Sequence, residues 1–520
     1  MYLHHLVRLI LIGLAAATAR RQPAPAERNP HITLTLDPTT TFQTIDGFGF
    51  CEAFQRAHSI TNLPSPWREE VLDLLFNTTT GAGFSIVRLG LGSSPDSRGD
   101  HMNSPQPNAD GPFAWDRKDS GQLWVAKQAQ RYGVENFIAD AWSAPGYMKT
   151  NGRDDMGGWL CGVKGEGRAE GTECKGVSWV QAYAEYLARY VLAWVDEGVS
   201  IAHVGFVNEP NLIKPYATMQ SDGYQAAEQT FALSVALAGI GLPSVGISCC
   251  EGQGWSYARD ILAEIQDAGA EGALSLITTH TYKGLPAKPD KPLNTTIPVW
   301  VTEISPIMDR LGMTQTWYRN GSENEGLLSA INIHEALVTG NASAYVYWIG
   351  VGQSSAEAPF IWAPNLKKNV TYANMWWPND NDTVIEVPAG TVPYTIGSTY
   401  WASAQFSRFI RPGAKRIGVR IGGISNYTAI LASAYQDKGF GTVVQVINNG
   451  DQNVTAYLST PNLGDPAAVG RKCRLDTWVT DDVKKLELVN TATTSPGIEK
   501  EVAISRRSLS TFVLKCGWKA

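Results

Sequence analysis

Short apolar runs alternate with longer amphipathic stretches between residues 45 and 350. Each run is brief and rich in β-branched residues, as expected of parallel strands that are buried on both faces. The eight runs are Ile45–Phe50, Phe84–Leu91, Val134–Ala141, Ile201–Val207, Ser244–Cys250, Leu274–His280, Val299–Glu303 and Ala344–Ile349.

The stretches between these runs have helical spacing. Ser178–Glu197 places apolar residues three or four positions apart and stops at Gly198. Gly223–Leu237, Ser256–Ala268 and Glu325–Thr339 follow the same pattern. Eight strand–helix units predict an α/β fold, a (β/α)8 barrel with enlarged loops. A doubly wound open sheet would also alternate, but it rarely uses eight such evenly distributed units.

The pattern changes near residue 400, where amphipathic helices give way to strand-like runs separated by turn residues. This pattern predicts an antiparallel β-sandwich side domain, to which Ile32–Leu36 is expected to add an N-terminal strand. The runs are Lys415–Val419, Tyr427–Ala434, Thr442–Asn448, Val454–Leu458, Lys472–Val479 and Ser508–Leu514.

The N-terminus is expected to be a secretory signal peptide. Arg8 precedes the apolar stretch Leu9–Leu14, and Ala17-Thr18-Ala19 supplies a small-residue cleavage pattern. A membrane anchor is the alternative, but the run is too short to span a bilayer. The predicted segments are a signal peptide at 1–19, a flexible lead-in at 20–31, a β-domain strand at 32–44, the barrel at 45–400 and the side domain at 401–520.

Glycosylation signals and cysteines fit a secreted, extracellular glycoprotein. Eight Asn-x-Ser/Thr sequons occur, and the seven cysteines have no zinc-like spacing. Cys161 with Cys174 and Cys473 with Cys516 are plausible local disulfides, which leaves at least one thiol unpaired among the other three. The sequons lie at Asn77, Asn294, Asn320, Asn341, Asn369, Asn381, Asn426 and Asn453.

Charge and tryptophan content narrow the class of partner. Lys and Arg number 43 against 49 Asp and Glu, a net charge of −6, so no electrostatic footprint for nucleic acid or an anionic membrane is present. The 17 tryptophans are too many for core filling alone to be assumed, because a buried indole N–H needs a partner, and some of them are expected to contact carbohydrate.

Two glutamates follow predicted strands at the end where barrel enzymes carry their reacting groups. Glu209 ends the fourth run in HVGFVNEPN, and Glu303 ends the seventh in PVWVTEIS. A pair of carboxylates can break a glycosidic bond when one is protonated and the other ionised. A lone strand-end Glu is usually only solvated, and a metal-dependent barrel would need a His-rich ligand set, which is absent near these acids.

Several motifs in order resemble glycoside hydrolase family 30, and the resemblance covers nearly all of the mature chain. The opening motif is most similar to the fungal xylanase branch, although Cys51 stands where Ser is expected. The motifs are IDGFGFCEAFQRA (45–57), FSIVRLGLGSS (84–94), AWSAPGYMKTNG (141–152), GFVNEPN (205–211), HTY (280–282), VTEIS (301–305) and YVYWIG (345–350).

The resemblance implies a retaining double displacement with Glu209 as acid/base and Glu303 as nucleophile. It also implies that Asn208 binds the sugar 2-hydroxyl and that Tyr282 donates to the nucleophile. Arg88, at the end of the second strand, is expected to keep the pKa of Glu303 low.

The remaining candidates concern the walls and ends of the cleft. Trp142 and Trp348 are expected to wall the subsite, and His280 is either a substrate contact or a structural histidine. Arg56 is hypothesised to bind a uronic-acid branch, with a surface arginine as the alternative. Asn103, in the loop 93–115, is a candidate to close one end of the cleft. Arg88 could instead be a structural ion-pair residue, and Tyr282 and Trp348 could be core aromatics.

The predicted function is a secreted retaining hydrolase of xylan or glucuronoxylan. A β-1,6-galactanase or β-1,6-glucanase of the same family is the alternative within enzymes. A non-catalytic carbohydrate-binding barrel or a structural wall glycoprotein would be the alternatives outside enzymes. No metal or organic cofactor is implied, and we expect a monomer whose partner is the polysaccharide, with no nucleic acid and no membrane.

Overall fold

The computed structural model describes most of the chain. The predicted signal peptide at 1–19 and residues 20–29 of the lead-in lie outside the described residues. The described ranges are 30–97, 100–163, 174, 176–282, 289–305, 314–320, 325–354, 383–388, 394–423, 429–437, 439–460, 472–495, 497 and 499–516.

Eight parallel strands close into a barrel, which confirms the predicted fold class. Strands two to nine of the chain pair in sequence order, and the last pairs with the first to complete the ring. The barrel strands are β2 (Gly47–Cys51), β3 (Ile86–Leu91), β4 (Asn136–Ala141), β5 (His203–Gly205), β6 (Gly246–Gly252), β7 (Leu276–His280), β8 (Val299–Glu303) and β9 (Ala344–Tyr347).

Helices surround the barrel, and none of those in the described ranges is long and apolar enough to cross a bilayer. Between β7 and β8, the described residues 281–282 and 289–298 form no helix. The helices are α1 (His58–Thr61), α2 (Trp67–Phe76), α3 (Gln122–Arg131), α4 (Val180–Asp196), α5 (Gly223–Gly239), α6 (Trp255–Asp267), α7 (Gly326–Val338) and α8 (Ser398–Ser407).

Local sequence explains how some of these elements begin and pack. Asp222 accepts a hydrogen bond from the Gln225 backbone N–H at 2.9 Å while the Gln225 side chain accepts from the Asp222 N–H, which forms a capping box at the start of α5. Inside the barrel, an apolar layer that includes Trp300 forms the floor beneath the polar mouth. The Trp300 indole N–H donates to Asp46 at 2.8 Å, which satisfies the buried polar group.

A nine-stranded, mostly antiparallel sheet forms the side domain, in the order β18-β17-β20-β15-β14-β13-β1-β16-β19. The N-terminal strand β1 pairs with β13 and β16, as predicted. Residues from strands near both ends of this order share one apolar core, so the sheet curls over itself. The strands are β1 (His31–Thr44), β13 (Lys415–Gly423), β14 (Ile430–Asp437), β15 (Gly441–Asn448), β16 (Val454–Ser459), β17 (Cys473–Thr480), β18 (Glu487–Thr494), β19 (Lys500–Ile504) and β20 (Ser508–Cys516).

Two of these strands, β18 and β19, were not predicted. β18 is the outermost strand on one side and exposes most of its residues, so it has no apolar run to detect. A small three-stranded sheet was also not predicted. It consists of β10 (Ile349–Ser354), β11 (Thr383–Pro388) and β12 (Thr395–Ile396).

Hydrogen bonds from α8 tie the side domain to the barrel. Gln405 donates to the Leu509 carbonyl at 3.0 Å and to Thr511 Oγ1 at 2.9 Å. At the other side of the helix, Arg408 donates to the carbonyls of Gly81 and Thr80 in the barrel. The helix runs to Ser407, beyond the predicted barrel boundary at residue 400.

Three disulfides are present among the described residues. Cys161–Cys174 and Cys473–Cys516 form as predicted, and Cys51 is the unpaired, buried thiol. The third joins the adjacent residues Cys249 and Cys250, which the sequence reasoning did not pair.

Candidate active site

The two glutamates lie together at the mouth of the barrel. Glu303 is the last residue of β8, whereas Glu209 lies beyond the end of β5, which stops at Gly205. Glu209 has a φ of 46°, a left-handed conformation that is costly for a residue other than glycine. Its backbone N–H donates to the Glu251 carbonyl at 3.0 Å, which helps to hold this conformation. The tertiary structure thus fixes the direction of the Glu209 side chain.

The spacing of the carboxylates fits a retaining mechanism. One oxygen from each of Glu209 and Glu303 and one ring nitrogen of His280 all lie within 4.8 Å of one another. Carboxyl groups of retaining enzymes are about 5–5.5 Å apart, whereas those of inverting enzymes need about 6.5–9.5 Å to admit a water. The separation of this pair is therefore closer to that of retaining enzymes than to that of inverting enzymes.

Arg88 connects the nucleophile candidate to the rest of the site. It lies within β3 rather than at its end, and its side chain is fully buried. Its Nη1 donates to Glu303 Oε2 at 2.5 Å, and its Nη2 donates to Asp140 Oδ2 and Asn208 Oδ1, each at 2.6 Å. The guanidinium therefore orients Glu303 and Asn208 at once.

The pKa of Glu303 reflects opposing influences. Burial raises it, while the charges of His280 and Arg88 act in the opposite direction. The expected effect of Arg88 is thus present, but the net shift of the Glu303 pKa is upward.

His280 is enclosed by carboxylates. Its Nδ1 lies 3.3 Å from Glu209 Oε1, and its Nε2 lies 2.9 Å from Glu251 Oε2 and 3.6 Å from Glu303 Oε2. Burial alone would lower the His280 pKa, but the negative charges of Glu303, Glu209 and Glu251 raise it to about 10. The imidazole is therefore held in its cationic form.

The same three residues, Glu209, His280 and Glu303, would be close enough to ligate a metal ion. A protonated imidazole has no lone pair to offer, however, and the Arg88 cation already contacts Glu303. The donor set therefore suits proton and sugar chemistry better than it suits cation binding.

Two tyrosines border the glutamates. The Tyr216 hydroxyl donates to Glu209 Oε2 at 3.0 Å, a contact that sequence reasoning missed. The ring of Tyr282 packs edge-on against His280, with 5.7 Å between the ring centroids. The donation from Tyr282 to Glu303 stays a prediction.

The Asn208 amide is only partly hydrogen-bonded by its protein neighbours. Its Oδ1 accepts from Arg88, which fixes the orientation of the amide. Its Nδ2 is buried and has no hydrogen-bond partner among the described residues. A buried donor without a partner is costly, and a substrate hydroxyl would satisfy it.

An aromatic wall stands beside the glutamates. Trp142 and Trp348 lie with ring centroids 5.8 Å apart, and Phe54 packs against both. The Arg88 guanidinium lies 4.5 Å from the Trp142 ring centroid. Trp142 is only 2% exposed, so Trp348 offers more surface to a ligand.

Arg56 is buried next to this wall. Its guanidinium lies 5.8 Å from the Trp348 ring centroid and forms an ion pair with Asp100 in the loop after β3. The surface alternative is thereby excluded, because Arg56 is only 7% exposed. Binding of a uronic acid stays a prediction.

The loop that carries Asn103 makes hydrogen bonds within itself and to neighbouring segments. The Asn103 N–H donates to Ser97 Oγ at 3.0 Å, and the segment makes a parallel bridge to Ser94. His101 Nδ1 lies 3.0 Å from Asp154 Oδ2 and its Nε2 lies 3.3 Å from the Pro215 carbonyl. The loop is therefore tied to the segments after β4 and β5, and the blocking role of Asn103 stays a prediction.

Sequence reasoning missed four polar residues of this site: Glu251, Asp140, Tyr216 and Thr302. Glu251 lies at the carboxyl end of the fifth barrel strand, so the rule that selected Glu209 and Glu303 could have found it. Asp140, at the end of β4, carries the same signal. Tyr216 lies in a loop, and no sequence pattern points to it.

Comparisons with known proteins agree with this geometry. A family profile described as O-glycosyl hydrolase family 30 matches residues 31–259. The catalytic domain of GH30 xylanase C from Talaromyces cellulolyticus is 34% identical, with a TM-score of 0.75, and the match covers 93% of this chain and 100% of that one.

Two curated relatives match a shorter part. Endo-1,6-beta-D-glucanase BGN16.3 of Trichoderma harzianum is 29% identical over 216 residues, and endo-1,6-beta-D-glucanase neg1 of Aspergillus fumigatus is 27% identical over 221 residues. Each match covers 40% of this chain and 42% or 44% of the relative, less than half of its length. The similarity to xylanase C extends along its whole catalytic domain, and this chain accordingly belongs to glycoside hydrolase family 30.

Proposed function

We propose that this protein is a secreted retaining glycoside hydrolase that cleaves β-1,4-xylosidic bonds of xylan or glucuronoxylan. The observation that carries the reaction type is the placement of Glu209 and Glu303 within 4.8 Å at the barrel mouth, with Arg88 donating to Glu303. Close carboxylates favour a covalent glycosyl-enzyme over direct attack by water.

In the first step, a Glu303 oxygen attacks the anomeric carbon and the bond to the leaving oxygen breaks. Glu209 donates its proton to that oxygen. In the second step, water attacks the anomeric carbon, its proton passes to Glu209, and Glu303 leaves as a carboxylate. In this proposal Asn208 Nδ2, a buried donor without a partner among the described residues, donates to the sugar 2-hydroxyl, a hydrogen bond that strengthens in the transition state.

Xylan as the substrate is supported by the similarity to xylanase C over nearly the whole chain. The specific alternative is a β-1,6-glycanase, and two β-1,6-glucanases are the observation in its favour. Both alternatives use the same carboxylates, so they differ in the sugars that the aromatic wall and surrounding loops accept.

Arg56 is proposed to bind the uronic acid of glucuronoxylan. A guanidinium fork matches a carboxylate with two parallel hydrogen bonds. The burial of Arg56 beside Trp348, which belongs to the wall at the glutamates, supports a place near the cleft. Its pairing with Asp100 means that a uronate would have to share or replace that partner.

The test is product analysis on four polymers: glucuronoxylan, undecorated xylan, β-1,6-glucan and β-1,6-galactan. Proton NMR of the first products gives the anomeric configuration, and retention is expected. The variants Glu303→Gln and Glu209→Gln are matched controls because they keep side-chain size and remove the charge. Hydrolysis of a β-1,6-glucan alone would replace the xylanase proposal, and full activity of Glu303→Gln would contradict the mechanism.

Further measurements address the remaining proposals. Release of mostly disaccharide would support a cleft closed by the Asn103 loop, whereas a ladder of long oligomers would support an open cleft. N-terminal sequencing of protein collected from culture medium is expected to begin after residue 19. Size-exclusion chromatography with light scattering is expected to give a monomer.

A further inference from the structure

We propose that Glu251 is a positioning residue that keeps His280 cationic, and that His280 is the shared counter-charge of the two catalytic glutamates. This inference rests on the proposed double displacement and assigns a task to a carboxylate that takes no part in bond making. The observation behind it is a chain of contacts from Glu251 through His280 to both glutamates.

Glu251 lies behind the reacting groups, and one of its two carboxylate oxygens, Oε2, has several polar partners. Its Oε2 accepts from His280 Nε2 at 2.9 Å and from the Thr302 hydroxyl, and it lies 3.3 Å from Arg88 Nη2. Its side chain is 1% exposed, so substrate has no direct access to it. Burial would raise the Glu251 pKa, but Arg88, His280 and Thr302 lower it to about 2. Glu251 is therefore an anion at neutral pH.

His280 is the next link in the chain. A neutral imidazole has one N–H and could donate on one side of the ring only. Here each ring nitrogen faces carboxylate oxygen, with Glu209 on the Nδ1 side and Glu251 and Glu303 on the Nε2 side. The geometry is therefore satisfied by the imidazolium, which donates in both directions.

The charge on the catalytic pair moves during the reaction. Before attack Glu303 is ionised and Glu209 carries a proton, whereas in the glycosyl-enzyme Glu303 is a neutral ester and Glu209 is ionised. The sum of the two charges stays the same, and only its location changes. His280 lies 3.6 Å from Glu303 Oε2 and 3.3 Å from Glu209 Oε1, so one buried cation serves both states without a change of rotamer. Fixed charges that need no rearrangement are the most effective kind of electrostatic stabilisation.

Other charged or titratable groups also act on His280. Among the three carboxylates that lie within 4 Å of a His280 ring nitrogen, Glu251 is the one whose charge does not change in either step. The groups that face or influence His280 are Glu209, Glu251, Glu303, Asp140, Arg88 and Tyr282.

The experiment is the variant Glu251→Gln, which keeps the size of the side chain and removes its charge. Loss of a neighbouring anion should lower the pKa of His280 by about 1–3 units. In the pH profile of kcat/KM, the alkaline limb is then expected to move to lower pH by at least about one unit. At the pH optimum of the wild type, kcat should fall by about tenfold or more with little change in KM.

Two matched variants separate charge from structure. Thr302→Val removes a hydrogen bond to Glu251 and leaves the charge, so its alkaline limb should stay near that of the wild type. Glu251→Asp restores the charge and should return the limb towards the wild-type position, even if Glu251→Gln melts at lower temperature. An alkaline limb of Glu251→Gln that superimposes on the wild-type limb would overturn the proposal.

A second readout does not depend on substrate. In protein labelled with 15N-histidine, the His280 signals are assigned with His280→Asn and titrated by NMR in the wild type and in Glu251→Gln. We expect His280 to remain protonated above pH 8 in the wild type and to titrate at lower pH in the variant. Equal titration in both proteins would refute the role of Glu251, whether or not any polymer is hydrolysed. Failure to hydrolyse every polymer would refute only the proposed function.

Discussion

Arg88 Nη1 donates to Glu303 Oε2 at 2.5 Å across the barrel, and the guanidinium that makes this contact has no exposed surface. The same side chain also holds Asp140 and Asn208. The contact is therefore part of the packing of the barrel interior as well as part of the candidate active site.

Replacing Arg88 should affect stability and activity together. Arg88→Met leaves buried carboxylates without a counter-charge, and breaking such a buried pair costs about 3–5 kcal/mol of unfolding free energy. Arg88→Lys retains the charge but cannot reach three acceptors with a planar fork. We expect the free energy of unfolding, measured in urea, to be highest for the wild type, lower for Arg88→Lys and lowest for Arg88→Met. A Met variant as stable as the wild type would contradict this reading of the network.

Tyr216 is expected to act on Glu209 alone. A hydrogen bond to a charged group contributes about 1.5–3 kcal/mol, so Tyr216→Phe should lower kcat by about 10- to 100-fold. The ring remains to pack against the aromatic wall, and the melting temperature should change little. Tyr183→Phe is the matched control, because that buried hydroxyl donates to the Phe206 carbonyl instead of a glutamate. Equal decreases of kcat in Tyr216→Phe and Tyr183→Phe would contradict the prediction that the Tyr216 hydroxyl supports catalysis through Glu209.

The Arg56 hypothesis predicts a change in selectivity rather than in chemistry. Arg56→Ala should lower kcat/KM on glucuronoxylan by about tenfold relative to undecorated xylan, since a bidentate charged contact is lost. Arg56→Lys keeps the charge but lacks the planar guanidinium. Its preference for glucuronoxylan over undecorated xylan should lie between those of the wild type and Arg56→Ala. The measurement is the ratio of rates on the two polymers, and an unchanged ratio in Arg56→Ala would reject uronate recognition.

His101 predicts a dependence of stability on pH. Burial would lower its pKa, but Asp154 and the Pro215 carbonyl raise it above the ordinary value. A raised pKa means that the stabilisation is fully present below about pH 6.5 and is lost as pH rises through the folded-state pKa. The wild type should thus exceed His101→Gln in free energy of unfolding by more at pH 6 than at pH 9.

The size of this effect is limited because the His101 side chain is 21% exposed. We expect a difference of no more than about 1 kcal/mol between the two pH values. Asp154→Asn is the control, since it removes the charge that His101 pairs with and should flatten the pH dependence. A stability difference that grows with increasing pH would show that the pairing has been misassigned.

Much of the fold was accessible from the sequence because it depends on local patterns. Most of the eight barrel strands are separated by helices, and the strands are apolar because both of their faces are buried. The same reasoning failed for β18, whose exposed residues carry no apolar period. Glu209 and Glu303 were found because strand ends in such a barrel converge on one mouth, so position along the chain already implies proximity.

The contacts among the site residues were decided by the tertiary structure. Arg56 with Asp100 and Tyr216 with Glu209 join different loops, whose paths no periodicity predicts. The ionisation of His280 likewise depends on carboxylates from three separate segments and on their burial. The sequence determined which chemical groups reach the barrel mouth. The packed structure decided which of them touch, because pairing and desolvation are properties of neighbours in space and not of neighbours along the chain.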